Sequence, residues 1–173
     1  MKRTGIFCAA ALVAGVALTA VVRAGGDLVV FPENYAKGVL YTTVDRADNK
    51  QYREFYSTPE AIEAVKAAKP IPSGTVLTLV QYKAKLDAAG QPEKDANGRF
   101  IKGDLIGYTV MEKRTGWGSE YTDDVRNGEW EYQAFKADKT VNDKAVLKNC
   151  FTCHRPLDKQ DFVFSFDKMK TAK

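Results

Sequence analysis

Histidine occurs once in the 173 residues, cysteine three times, methionine three times and tryptophan twice. These scarcities exclude a good deal. Cys8, Cys150 and Cys153 are too few for a dense disulfide scaffold and cannot build a four-cysteine zinc site. His154 is the sole imidazole, so one chain cannot present two histidines to one metal. Charge of one sign is not in excess either: 26 basic and 22 acidic residues leave a net +4. The sequence has no internal repeat and no low-complexity tract. Hydrophobic residues at 45% and charged residues at 28% are ordinary for a globular protein. That composition excludes a collagen-like or disordered chain and leaves room for one domain with a real core.

Only one long apolar run is present, and it lies at the start. Met1, Lys2 and Arg3 form a basic opening, and Ile6 to Val22 is apolar and small apart from Gly and Thr. Val22-Arg23-Ala24 then resembles a small-x-small cleavage site. Residues 1–24 read as a secretory signal peptide, which places the mature protein in the periplasm. An uncleaved anchor is the alternative, but a run of about 17 residues is marginal for a span. Cleavage removes Lys2, Arg3 and Arg23 without any acid, leaving 23 basic against 22 acidic residues, a net +1. Nucleic acid is therefore not an expected partner, since it needs a concentrated positive face. Cleavage also removes Cys8, so residues 25–173 form a single domain with one cysteine pair.

Local signals predict the elements of that domain. Phe31-Pro32-Glu33-Asn34-Tyr35 reads as a turn into a short helix. Val39 to Val44 and Gln51 to Tyr56 read as strands. Thr58-Pro59-Glu60 is a helix start, with a cap, proline at the first position and an acid in the first turn. Pro70 and Pro72 end that helix, and the β-branched run Thr75 to Tyr82 follows as a strand. Residues 83–99 are polar with two turn signals, as in a long hairpin connection. Leu105 to Glu112 and Trp130 to Lys136 are further strands, separated by a tight loop at Gly116-Trp117-Gly118. Asp143 to Asn149 is expected to be helical. Phe162, Phe164 and Phe166 alternate with Val163 and Ser165, as in a last strand. The class is α+β, a mainly antiparallel sheet with short flanking helices.

Cys150-Phe151-Thr152-Cys153-His154 carries the chemistry. Two thiols two residues apart, followed at once by histidine, read as a covalent haem attachment site. The thiols add to the two vinyl groups, and the adjacent histidine supplies the proximal nitrogen. A redox dithiol is the main alternative, but such a site usually opens a helix after an early strand. A zinc site would need another ligand beyond Cys150, Cys153 and His154. The cofactor expected is one covalent haem c per chain, with His154 as the iron ligand. The sixth position then falls to Met111, Met169, another weak ligand, water or nothing. Met169 sits among lysines near the tail, and Met111 at a strand end reads as core. An open or weakly held distal site follows, suited to diatomic ligands or to chemistry rather than to a dedicated His/Met electron carrier.

Several motifs occur in an order that resembles the cytochrome P460 superfamily and its non-crosslinked relatives, the beta-type cytochromes c′. They are Phe31-Pro32-Glu33-Asn34-Tyr35, Arg53-Glu54-Phe55-Tyr56 with Pro59, Gly74-Thr75-Val76, Gly107-Tyr108, Gly128-Glu129-Trp130, the cysteine–histidine motif and Asp161-Phe162-Val163-Phe164. The resemblance spans about residues 28–168. It implies a homodimer of mostly β subunits, not a four-helix bundle, each with one five-coordinate c-type haem. P460 members oxidise hydroxylamine, with nitric oxide as intermediate or substrate, and carry a lysine bonded to the haem. The beta-type cytochromes c′ lack that bond, cap an apolar distal pocket with phenylalanine, and bind nitric oxide and carbon monoxide.

The position matching the crosslinking lysine is Leu79, and a register slip would be needed to bring in Lys83. The departure favours the gas-binding relative. Arg53 matches a distal arginine of P460 proteins, as a hydrogen-bond donor to ligand or as a salt-bridge partner of a propionate. Phe55, two residues on, shares its strand face and is the first candidate for the distal cap, followed by Phe31. Trp117, Trp130 and Tyr132 are expected near the haem or in the subunit contact, and Lys113-Arg114 toward propionates or solvent. The leading expectation is a periplasmic protein that binds nitric oxide or carbon monoxide. The rivals are a hydroxylamine or nitric oxide oxidoreductase, with Arg53 as its catalytic residue, and a mono-haem electron carrier with a redox partner.

Overall fold

The structure, a computed structural model, describes residues 28–173. The expected signal peptide and Cys8 lie outside the described residues. Five strands form one antiparallel sheet in sequence order: β1 (Val39–Arg46), β2 (Gln51–Ser57), β3 (Val76–Ala84), β4 (Lys102–Lys113) and β5 (Trp130–Lys136). Each strand pairs with the next, so every connection is a local return. Helix α1 (Pro59–Lys66) fills the longest detour within the sheet, between β2 and β3. Pro59 opens it with Glu60 in its first turn, and Ala61, Ile62 and Val65 form its buried face. Two short helices, α2 (Lys148–His154) and α3 (Phe166–Lys170), follow the sheet, with a 3-10 turn over Arg155–Gln160 between them.

The register assigns side chains to faces. Thr42 pairs with Phe55, Phe55 with Leu79, and Leu79 with Thr109. Two residues further along, Leu77 pairs with Met111 and Met111 with Tyr132. Paired residues point the same way, so these side chains share one face. Helices α1, α2 and α3 pack there, and Ile62, Val65, Phe151, Val163 and Met169 join Met111, Trp130 and Tyr132 in the main core. Val80, Tyr108, Val110 and Phe135 face the other way and form a second cluster with Val29. The fold is α+β with a dominant antiparallel sheet and short helices, and it is not a four-helix bundle.

Two expected elements differ. Residues 162–166 are not a strand. Asp161 and Phe162 both have positive φ, 52° and 60°, which turns the chain out of extended geometry. The amide of Phe162 bonds back to Leu157 O at 2.8 Å, that of Val163 to Gln160 O at 3.1 Å, and Phe166 begins α3. The alternation of apolar residues is real, but it buries Val163 in the core and leaves Phe164 exposed with no strand to pair with. The helix expected over 143–149 is also displaced. The chain there makes turns, and α2 starts at Lys148 and runs through the cysteines instead of leading up to them.

Candidate functional site

On α2, Cys150, Cys153 and His154 stand at positions i, i+3 and i+4, which share one helix face. Phe151 points into the core and is 1% exposed. Its ring meets Tyr132 at 4.7 Å and Tyr121 at 5.0 Å. Buried Asn127 adds a polar tie, donating to Phe151 O at 3.0 Å and to the Tyr132 hydroxyl at 2.9 Å. The helix is thus held from its apolar side, which leaves its thiol face on a cavity. Cys150 is partly buried and Cys153 exposed, and both are free thiols. Burial pushes the Cys150 thiol up from its ordinary pKa.

His154 is fixed on three sides. Its ring packs at 5.1 Å from Tyr132 and 5.0 Å, edge-on, from Phe164. Nδ1 lies 2.6 Å from Phe162 O. A carbonyl only accepts, so Nδ1 carries the proton and Nε2 of the neutral ring keeps its lone pair for a metal. Burial pulls the His154 pKa below its ordinary value, against a smaller upward pull from that hydrogen bond. The net lowering suits an uncharged ligand imidazole.

The three residues border a cavity of about 490 Å³ between the helix-bearing face of the sheet and the segment after α2. Arg53, Phe55 and Leu79 line the same cavity, so the structure brings together six residues selected from sequence. Met111 and Tyr132 line it as well. Sequence reasoning missed Tyr41, Val44, Arg46, Thr109 and Ser165. Their places depend on strand register and on a shift in the β1–β2 pairing between Leu40 and Thr42, neither of which leaves a local signal. The Tyr41 hydroxyl and Ser165 Oγ, 2.8 Å apart, bridge β1 to the segment before α3. Thr109 is tied to the neighbouring strand by Gln81, whose Nε2 donates to its hydroxyl at 2.9 Å.

Other expectations resolve differently. Phe31 lies in the second cluster, 4.8 Å from the Tyr108 ring and 5.3 Å from Phe135, and does not border the cavity. Trp117 also packs against that cluster. Lys83 is on the cavity-side parity of β3 but four residues beyond Leu79, roughly 13 Å along a strand. Its side chain is exposed, 3.9 Å from Asp104. Trp130 is fully buried in the main core. Lys113 does not face solvent: its side chain is 13% exposed and pairs with Asp161 at 2.6 Å. Arg114 pairs with Glu112. Met169 is completely buried in the core, away from the cavity.

Arg53 is half-buried at the cavity wall. Its Nε and Nη2 both donate to Gln51 Oε1, at 2.9 and 2.7 Å, which aims the guanidinium along the strand. Burial lowers its pKa, and the neighbouring charge of Arg46 lowers it further. Nη1 makes no hydrogen bond among the described residues, so it is available to an acceptor in the cavity. Among those residues, no three His, Cys, Asp or Glu side chains converge as a set that could hold a metal ion. Two thiols and one imidazole arrayed along a helix above an apolar-walled cavity instead suit a large planar group anchored at its edge.

The family model of cytochrome P460 matches residues 32–165. The chain belongs to the cytochrome P460 family. That match begins at Pro32, covers all five strands and α2, and ends at Ser165. It makes this a haem protein of P460 type in general terms. Comparison with curated proteins returns no match.

Proposed function

We propose that this P460-family protein carries one covalent haem c, attached through Cys150 and Cys153 and ligated by His154, and binds nitric oxide or carbon monoxide at an open distal position. The observation that carries the reading is the shared cavity: the proximal imidazole, with Nε2 unprotonated, and the apolar side chains of Phe55 and Leu79 border the same space. Bound haem supplies the iron that takes up the diatomic ligand. The chain's own residues do the rest. His154 offers a fixed lone pair, held by Phe162 O. Phe55 and Leu79 exclude water and leave little to stabilise a charged ligand, so neutral gases lose least on entry. Where a crosslinked relative needs a lysine, Leu79 offers only hydrocarbon.

A second reading rests on Arg53. With Nη1 open to an acceptor, Arg53 would hold a polar substrate by hydrogen bonding, as a hydroxylamine or nitric oxide oxidoreductase requires. Among the described residues no lysine lines the cavity, which favours gas binding over that activity. The signal-like N-terminal segment supports a periplasmic location, and the family supports a homodimer.

Visible spectra of exported protein test the proposal. A high-spin ferrous haem that takes up carbon monoxide at once supports it. A strongly red-shifted ferrous band, with a lysine peptide joined to haem, would establish the oxidoreductase instead. A low-spin haem with a methionine-to-iron band would leave electron transfer as the function.

A further inference from the structure

The left-handed pair Asp161-Phe162 is the least expected backbone in the described chain. Two consecutive non-glycine residues hold φ of 52° and 60°, a conformation that side-chain-bearing residues adopt rarely. Asp tolerates it better than most, and phenylalanine does not. The pair needs support, and the structure provides it at one side chain. Asp161 Oδ2 accepts from Lys113 Nζ at 2.6 Å, at the end of β4. Asp161 Oδ1 accepts from Trp130 Nε1 at 3.1 Å, at the start of β5. Trp130 is fully buried, and the Lys113 ammonium also lies 5.8 Å from its ring. Gly128 makes room for the turn: a Cβ there would come within 3.1 Å of the Phe162 ring. What the turn achieves is the placing of one carbonyl, Phe162 O, at 2.6 Å from His154 Nδ1.

We propose that Asp161 is a positioning residue for the proximal histidine: its carboxylate, pinned by Lys113 and Trp130, holds the left-handed turn that keeps the Phe162 carbonyl on the His154 imidazole and so sets the electron donation of that ring to iron. This rests on His154 being the iron ligand. A firm Nδ1–H···O=C bond makes the ring a stronger donor, strengthens the iron–histidine bond and favours the ferric state. Releasing the carbonyl weakens the bond and favours the ferrous state. Asp161 thus acts through geometry, from a carboxylate that is not itself a ligand.

The geometry has a signature that charge alone does not. If Asp161 and Lys113 acted only as nearby charges, removing the anion would raise the reduction potential and removing the cation would lower it. If both act by holding the turn, either loss moves the potential upward. The experiment uses exported, haem-loaded protein: wild type, Asp161→Ala, Asp161→Asn, Lys113→Met and a His154→Ala control. It reads the reduction potential and the ferrous iron–histidine stretching band by resonance Raman. Expected are an upward potential and a lowered band in both Asp161→Ala and Lys113→Met. Asp161→Asn, which tolerates the left-handed turn but keeps one acceptor oxygen in place of two, is expected to shift less than Asp161→Ala. Measurements are made on the haem-bearing fraction, so partial misfolding of the alanine variant does not obscure the comparison.

Opposite shifts in Asp161→Ala and Lys113→Met, an unmoved band in Asp161→Ala, or an Asp161→Asn shift as large as alanine's would each overturn the proposal while leaving haem ligation by His154 intact. A wild-type spectrum unaltered in the His154→Ala control would instead bring down the ligation reading, and this proposal with it.

Discussion

Phe55 and Leu79 are cross-strand partners on β2 and β3, and both border the cavity. Phe55 is also braced by Tyr41, with ring centroids 6.2 Å apart. A braced ring at the wall of a ligand cavity acts as a steric gate. Shortening Phe55 to alanine is expected to speed carbon monoxide association on the order of tenfold, about 1.4 kcal/mol off the entry barrier. Flash photolysis measures this, and an unchanged rate would place the gate elsewhere. Met111 offers a contrasting case. It is buried, lines the same cavity and bears the one thioether there among the described residues. If it only fills space, Met111→Leu keeps volume and apolarity, leaves the ferrous and ferric spectra unchanged and costs less than about 1.5 kcal/mol in denaturant unfolding. A change of spin state in that variant would identify Met111 as an iron ligand and favour electron transfer.

At the scale of elements, the long β3–β4 connection is pinned to β1 by one ion pair. Arg99 grips Asp45 with Nε at 2.7 Å and Nη2 at 3.1 Å, and the Phe100 amide adds a third donor at 3.2 Å. The Arg99 hydrogen bonds hold the Asp45 carboxyl below its ordinary pKa. A depressed carboxylate stabilises the fold above its unfolded value, about 3.9, and that contribution disappears as pH falls through the lower folded value. Asp45→Asn should therefore cost about 1 kcal/mol at pH 7, a figure already discounted for the partial exposure of Arg99. The gap between variant and wild type should close in strong acid. Urea melts across pH measure it, and a gap that persists in acid would assign the effect to packing.

Elements were legible in the sequence wherever the signal was local. Thr58-Pro59 marks the start of α1, the β-branched run marks β3, and the order of helices and strands yields the fold class. The Cys150 to His154 motif stands out in the sequence because its spacing is chemical. What escaped was set by distant contacts. The Phe162 to Phe166 alternation suits a strand or a turn equally, and Asp161 anchored by Lys113 and Trp130 decides for the turn. Phe31 was misplaced because the N-terminal segment crosses to the far face of the sheet, which no feature near Phe31 announces. Arg53 and Phe55 border one cavity because two-residue spacing on a strand fixes a common face.

At the scale of the molecule, the cavity unites residues from all five strands, α2 and the segment before α3. Exported protein is expected to have the mass of the chain from about Gly25 plus a single haem, and to sediment as a dimer. Intact mass and analytical ultracentrifugation check both. Loss of haem under denaturing mass analysis would contradict covalent attachment, and a monomer at working concentration would contradict the family expectation.

Because each strand hydrogen-bonds to its immediate predecessor, the sheet can assemble in the direction of synthesis, one strand at a time. The cysteine-bearing helix comes after all five strands. The tie between Tyr41 and Ser165 spans 124 positions and is among the last to form. A chain that crosses a membrane amino end first would thus complete one wall of its pocket before the attachment segment arrives. The ligation machinery would meet its thiols beside a finished surface, and the far end of the chain would then fold over the prosthetic group like a clasp.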